Sequence, residues 1–312
     1  MLAILVHGGA GAWSAERLPR GLKGVQEAAE KGFEALRAGG SALDAVEEAV
    51  ATMEDNPTFN AGVGCALTLS GDVEAEASIM DGSTLSAGAV ALVRRVKNPI
   101  RLARRVMELT DHVVLTGPLA EDLARRLGLE FADLKTEERE ALRRELLGEL
   151  RAGRLRYLTK LPELLRAFPD LVPGTVGAVA LDAGGRLAVA TSTGGLMLKL
   201  PGRLGDTPLI GCGSYADHYG ACSVTGIGEV AIRLCLARMA CLFMRSGLSA
   251  QEAAEACMGL VLKHFPGTPM GLIALDRQGR RGVAQTAKYM PWAYMRDGLK
   301  GPEVGSRGVV IG

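Results

Sequence analysis

The sequence predicts a layered α+β fold, and three observations predict it. Residues 175–192, TVGAVALDAGGRLAVATS, read as strand, Asp-x-x-Gly turn, strand. A near copy follows at 270–287, MGLIALDRQGRRGVAQTA. Helical patterns come in blocks between antiparallel strands and do not alternate with them one for one, which argues against a doubly wound sheet. Two antiparallel sheets between helix layers is the simplest arrangement that satisfies all three.

The elements follow in order. Residues 2–6 are an apolar first strand, ending in the turn His7-Gly8-Gly9-Ala10-Gly11. Residues 21–38 and 41–54 carry apolar positions at three- and four-residue spacing and predict two helices. Gly39-Gly40 separates them, Ser41 with Asp44 is a capping signal, and Asn56-Pro57 stops the second. Strands are expected at 65–69, 73–79 and 87–93, and helices at 99–109 and 118–127. Residues 135–166 are dense in Arg, Glu and Leu, broken by Gly148, Gly153 and Pro162. They read as a surface helix pair or as a linker. Helices at 227–246 and 249–264 lie between the two hairpins.

Composition narrows the function. The 312 residues are 48% hydrophobic and 23% charged, so the chain has material for a large core and is not a disordered one. A net charge of +1 carries no electrostatic footprint for nucleic acid or an anionic membrane. No run approaches the ~18 apolar residues of a membrane span, and the first residues read as a strand, not a signal peptide. Six cysteines without a CxxC pair suggest buried free thiols in a reducing, cytoplasmic compartment.

Five short patterns suit one kind of chemistry. Thr175 opens a strand directly after Gly174. A threonine hydroxyl is a poor nucleophile, and freeing its own α-amino group, with a pKa of roughly 8, would supply a base beside it. That requires cutting the 174–175 bond. Thr193, in Thr191-Ser192-Thr193-Gly194-Gly195, returns beside Thr175 by hairpin geometry. Arg203 and Asp206 lie three apart between glycines, a spacing that suits the carboxylate and ammonium of an amino acid. Thr225-Gly226-Ile227-Gly228-Glu229 leads into a helix, where amide N–H groups suit an oxyanion. Asn60 lies in the loop Asn60-Ala61-Gly62-Val63-Gly64. Singly, each has a plainer reading as a strand start, a turn or a surface ion pair. His7-Gly8-Gly9-Ala10-Gly11 fails GxGxxG and there is no GxxxxGK[ST], so phosphate binding is not expected. His112, His218 and His264 lack ligand spacing, so no catalytic metal or other cofactor is expected.

In combination and order these patterns resemble the plant-type asparaginases and isoaspartyl peptidases, N-terminal-nucleophile hydrolases related to glycosylasparaginase. The resemblance runs through HGGAGAW (7–13), NPTFNAGVG (56–64), MDGSTLSAGAVA (80–91), GTVGAVALD (174–182), TSTGG (191–195), LPGRLGDTPLIG (200–211) and TGIGE (225–229). It implies a single αββα sandwich over 1–312, made as a precursor that cuts itself before Thr175. The α chain would be 1–174, with 135–174 as linker, and the β chain 175–312. Thr175 would be nucleophile and base, with Thr193 beside it. Arg203 and Asp206 would bind substrate, Thr225 and Gly226 the reacting carbonyl, and Gly228 and Asn60 would complete the site. The HGG turn would assist processing. Backbone carbonyls of Met53, Glu54, Asn56, Phe59, Ala61 and Val63 would hold a structural sodium ion. The mature unit would be a dimer of αβ pairs.

The implied substrates are β-aspartyl dipeptides, with L-asparagine second. A glycosylasparaginase-like amidase and an unprocessed amino-acid-binding relative are the alternatives. The turn reads STGG, where glycosylasparaginases tend to have STNG. The sequence departs from the family at 266–271 and 284–294, which would border the leaving-group side. Pro173, before the scissile glycine, would slow processing.

Overall fold

A computed structural model describes residues 1–11, 13–152 and 174–311. Its larger sheet runs β12 (Glu303–Gly305), β11 (Trp292–Arg296), β1 (Ala3–His7), β5 (Thr175–Leu181), β6 (Leu187–Thr193), β2 (Ala75–Asp81), β3 (Ala87–Val93), β4 (Val114–Thr116). The smaller runs β13 (Val309–Val310), β10 (Arg281–Gln285), β9 (Met270–Asp276), β8 (Gly220–Gly226), β7 (Ser214–Ala216). Pairing is antiparallel except at β3–β4 and β10–β13, each at a sheet edge.

Helices α1 (Arg17–Arg37), α2 (Ala42–Glu54) and α3 (Pro99–Leu109) cover the outer face of the larger sheet, with α4 (Gly117–Arg126) packed on β3 and β4. Helices α6 (Gly228–Leu234), α7 (Leu236–Arg245) and α8 (Ala250–His264) lie on the side of the smaller sheet. The layers are αββα, as expected. Both sheets are covered on both faces, which is why β1, β5, β6, β8 and β9 are buried along their whole length.

The two-residue period of a strand decides which layer each side chain enters. Along β5, Val176, Ala178 and Ala180 face the helices, while Val179 and Leu181 face the other sheet. Along β6, Ala188 and Ala190 face the helices, and Leu187 and Val189 the other sheet. Thr175, Thr191 and Thr193 therefore point between the sheets, and Ser192 points out to α2.

Several elements differ from expectation. Residues 65–69 form no strand: one bridge, Leu67 to Val73, closes a tight turn in which Gly71 N–H bonds the Thr68 carbonyl. The helix expected at 227–246 is two, broken at Cys235, whose φ of +46° lies in the left-handed region. The expected capping box at Ser41 and Asp44 is present.

The expected linker, 135–174, begins as structure. Residues Glu137–Arg151 are a fifth helix of the first half, α5, capped by the Thr136 side chain. Leu146 is buried in the core under the larger sheet. Arg139 is buried too, its Nε donating to the Gly64 carbonyl at 2.7 Å, and Arg143 Nη2 donates to the Leu69 carbonyl at 2.7 Å. Two guanidinium groups of α5 thus fasten the loop that carries Asn60. Residues 153–173, including Pro173, lie outside the described residues. Among the described residues no helix is long and apolar enough to cross a membrane.

If α5 belongs to the cooperative fold, Leu146→Ala costs about 2–5 kcal/mol in denaturant unfolding, as buried leucines do. A loss under about 0.5 kcal/mol, the size of a surface change, would return this stretch to a linker.

Candidate active site

One end of the apolar layer between the sheets turns polar. Strand parity brings His7 of β1, Thr175 of β5, Thr191 and Thr193 of β6, and Ser223 and Thr225 of β8 to this end. His7 Nε2 and Ser223 Oγ lie 2.8 Å apart, and Ser223 Oγ is 3.1 Å from Thr191 Oγ1.

Thr175 and Thr193 are direct partners in the β5–β6 ladder. The Thr193 hydroxyl donates to the Gly174 carbonyl at 2.8 Å and accepts from Gly195 N–H at 2.9 Å. The carbonyl of the 174–175 peptide is therefore polarised by a hydroxyl that is itself oriented. Asn60 stands behind this bond. Its Nδ2 donates to the Gly195 carbonyl at 2.8 Å, and its Oδ1 accepts from Ala66 N–H at 2.6 Å. A Cβ at position 174 would fall 2.9 Å from Asn60 Cβ, so a glycine is needed here for the close approach. A Cβ on Gly9 would lie 3.1 Å from Gly174 Cα, which puts the HGG turn against the same peptide.

The cleft at this point is lined by Gly174, Thr175, Thr193, Arg203, Asp206, Gly226 and Gly228 among others. The cavity is about 10 Å³, close to what one water molecule needs. With Gly174 in place there is no room for an amino acid. Arg203 gives Nε and Nη2 to Glu229, both at 2.9 Å. Asp206 is buried, and desolvation raises its carboxyl to about 7 while Arg203 pulls it down. A cation placed against Asp206 would restore its ionised form.

Thr225 and Asn60 stand behind the cleft wall and do not line it. Thr225 is fully buried, and its Oγ1 accepts from Ala10 N–H at 3.1 Å, leaving the hydroxyl proton for another partner. Gly226 has a φ of +132° and backs onto Met270. Sequence reasoning missed Gly195, Leu196 and Gly205, which also line the cleft. Gly195 lies in the TSTGG turn and was within reach, whereas nothing distinguishes Leu196 from a core leucine. None of the lining residues comes from 266–271 or 284–294. Met270 packs behind Gly226, so the first departure reaches the wall from behind, and Tyr289 pairs with Gly11.

Two buried groups flank the threonines. Burial pushes the His7 imidazole down to about 3, the Thr175 main chain opposing it, so the ring is neutral at pH 7. No hydrogen bond of ordinary geometry reaches Nδ1. On the opposite face Glu54 of α2 accepts from Ser192 Oγ at 2.6 Å and from Ile100 N–H at 3.1 Å, and desolvation raises its carboxyl to about 8.

Among the described residues no cluster of His, Cys, Asp or Glu has the makings of a metal site. The loop expected to hold sodium offers peptide oxygens instead. Val63 N–H bonds the Glu54 carbonyl at 2.8 Å and curls residues 54–63 into a ring. The Met53, Asn56 and Phe59 carbonyls each accept one bond, from Asn56 N–H, Phe59 N–H and Arg139, and a carbonyl has a second lone pair for a hard cation.

A four-layer αββα fold that presents a threonine at the head of a central strand is that of the N-terminal-nucleophile hydrolases. Within that class the chain belongs to the asparaginase family, whose profile matches residues 1–302. It is similar to the plant-type L-asparaginase of Pyrococcus abyssi, 51% identical over 306 residues that cover 98% of this chain and all of the relative. The plant-type L-asparaginase of Thermococcus kodakarensis is 51% identical over 310 residues, with the same coverage. The isoaspartyl peptidase/L-asparaginase of Mus musculus is 43% identical over 300 residues, covering 95% of this chain and 89% of the relative.

Glu54 makes a pH prediction. Its carboxyl titrates near 4.5 when unfolded and about 8 when folded, so folding favours the protonated form. That contribution is complete below about pH 4.5 and is lost as pH rises through about 8. Glu54→Gln should fall less in melting temperature than the parent between about pH 5 and about pH 8. Equal slopes would mean Glu54 is ionised in the fold.

Proposed function

We propose that the chain is a precursor that cuts itself between Gly174 and Thr175. As α chain 1–174 and β chain 175–312 it then hydrolyses the side-chain amide of β-aspartyl dipeptides and, second, of L-asparagine. The observation that carries this is the 2.8 Å bond from the Thr193 hydroxyl to the Gly174 carbonyl, directly beside Thr175.

Processing begins as Thr175 Oγ adds to the Gly174 carbonyl carbon, with the developing oxyanion held by Thr193. The C–N bond breaks, nitrogen takes the proton, and Gly174 is left as an ester on Thr175. Water hydrolyses that ester to the Gly174 carboxylate and a free Thr175 hydroxyl. Departure of Gly174 opens the cleft and frees the Thr175 amine.

In the mature enzyme that amine takes the proton of Thr175 Oγ as it attacks the substrate's side-chain carbonyl. The Gly226 region, in the cleft wall, faces the oxyanion, with Thr225 directly behind it. Arg203 meets the substrate α-carboxylate and Asp206 its α-ammonium. The amine or ammonia leaves with the proton, and water resolves the β-aspartyl ester. Asn60 and Gly228 hold the wall, and neutral His7 accompanies the cleavage peptide.

No cofactor enters these steps. A structural sodium ion would sit on the peptide oxygens of Met53, Glu54, Asn56, Phe59, Ala61 and Val63. We further propose a dimer of αβ pairs, with no nucleic-acid or membrane partner, in the cytoplasm. The five buried free thiols suit a reducing compartment. The names of the relatives, plant-type L-asparaginase and isoaspartyl peptidase/L-asparaginase, support the amide substrates over glycosylasparagine.

Thr175→Ala should abolish both maturation and hydrolysis, and Thr175→Ser should keep part of each. Mass spectrometry follows maturation, and product assays with L-asparagine and a β-aspartyl dipeptide follow hydrolysis. An alanine variant that matures and turns over normally would dismiss Thr175 as nucleophile.

A further inference from the structure

The mechanism leaves one buried ion pair unused, and it lies under the substrate clamp. Lys199 and Glu76 are 1% and 0% exposed, with Lys199 Nζ 3.4 Å from Glu76 Oε1 and 2.7 Å from the Glu74 carbonyl. Both carboxylate oxygens of Glu76 accept from Gly205 N–H at 3.1 Å. Glu74, at the head of β2, accepts from Gly202 N–H at 2.8 Å through Oε2. The turn 202–205, which carries Arg203, therefore hangs at both ends on carboxylates of one strand.

The pair also lies close to the guanidinium, around the same two glycines. A Cβ at Gly205 would lie 2.9 Å from Arg203 Nη1 and 3.1 Å from Glu76 Oε2. A Cβ at Gly195 would lie 2.9 Å from Lys199 Nζ and 3.3 Å from Arg203 Nη1. Glu229 holds the opposite edge of Arg203 through Nε and Nη2. Glu229 thus holds the guanidinium itself, while Glu76 and Glu74 hold the turn that carries it.

We propose that Glu76, with Lys199 as its counter-charge, and Glu229 are the positioning residues that aim Arg203 at the substrate α-carboxylate. Glu76 anchors the turn, Lys199 pairs with Glu76 in the buried interior, and Glu229 fixes the rotation of the guanidinium. Self-cleavage does not use an α-carboxylate, so these residues act on substrate binding and not on processing. The inference rests on the reading of Arg203 in the proposed function.

The test compares Glu76→Gln, Lys199→Met, their double variant and Glu229→Gln in the full chain. Maturation is followed by mass, and kcat and KM are measured with L-asparagine and a β-aspartyl dipeptide. Each single variant should mature completely and raise KM by about tenfold or more, with kcat within about threefold. The double variant, which leaves no unpaired buried charge, should recover much of the KM lost by Lys199→Met. An unchanged KM, or a fall in kcat at constant KM, would overturn the proposal. Should the buried variants fail to fold, Glu229→Gln, at a half-exposed position, decides by the same split. If the parent itself neither matures nor hydrolyses, the proposed function fails. If it does both and the variants keep its KM, only the positioning role fails.

Discussion

The Thr193 hydroxyl donating to the Gly174 carbonyl is a single hydrogen bond that much of the fold is arranged to permit. It needs Thr175 and Thr193 opposite each other, which the β5–β6 register supplies. It needs both side chains on the inner face, which strand parity supplies. It needs Gly174 pressed against Asn60, which the 56–64 loop supplies, held by Arg139. A one-residue slip of β6 would turn Thr193 toward the helices and bring Ser192 inward.

Desolvation is the second constraint. The cleft lies where an apolar layer ends, so the titratable groups in it and around it are poorly hydrated. His7 is kept neutral, Glu54 is held protonated, and Asp206 sits close to its midpoint at pH 7. In the binding role proposed for Asp206 this is useful, because an arriving ammonium would give it the partner that the dry wall withholds. The nearby Glu76–Lys199 pair shows the other solution, a buried charge compensated from within the chain.

Much of this was legible in the sequence, for physical reasons. The two hairpins carry an apolar run and an Asp-x-x-Gly turn, in which Asp182 and Asp276 accept from the turn amides. Ser41 and Asp44 announced α2 through local hydrogen bonds alone. Thr175, Thr193, Arg203 and Asp206 were legible because their order matches a family pattern. What escaped depends on distant partners. Strand β8 carried no signal of its own because its stability comes from pairing with β9. The α5 stretch stayed open between a surface helix and a linker because Arg139 is buried against carbonyls 75 and 80 residues away in sequence. The hold of Glu229 on Arg203 spans 26 residues and has no local signature. Cys235 breaks a helix that composition would continue.

The central claim is that the 174–175 peptide is cut by the chain that contains it. The most direct measurement is the intact mass of the purified protein under denaturing conditions over time, with N-terminal sequencing of each species. The account predicts two chains, residues 1–174 and 175–312, the second beginning Thr-Val-Gly-Ala. A single chain of 312 residues that persists through long incubation would contradict it.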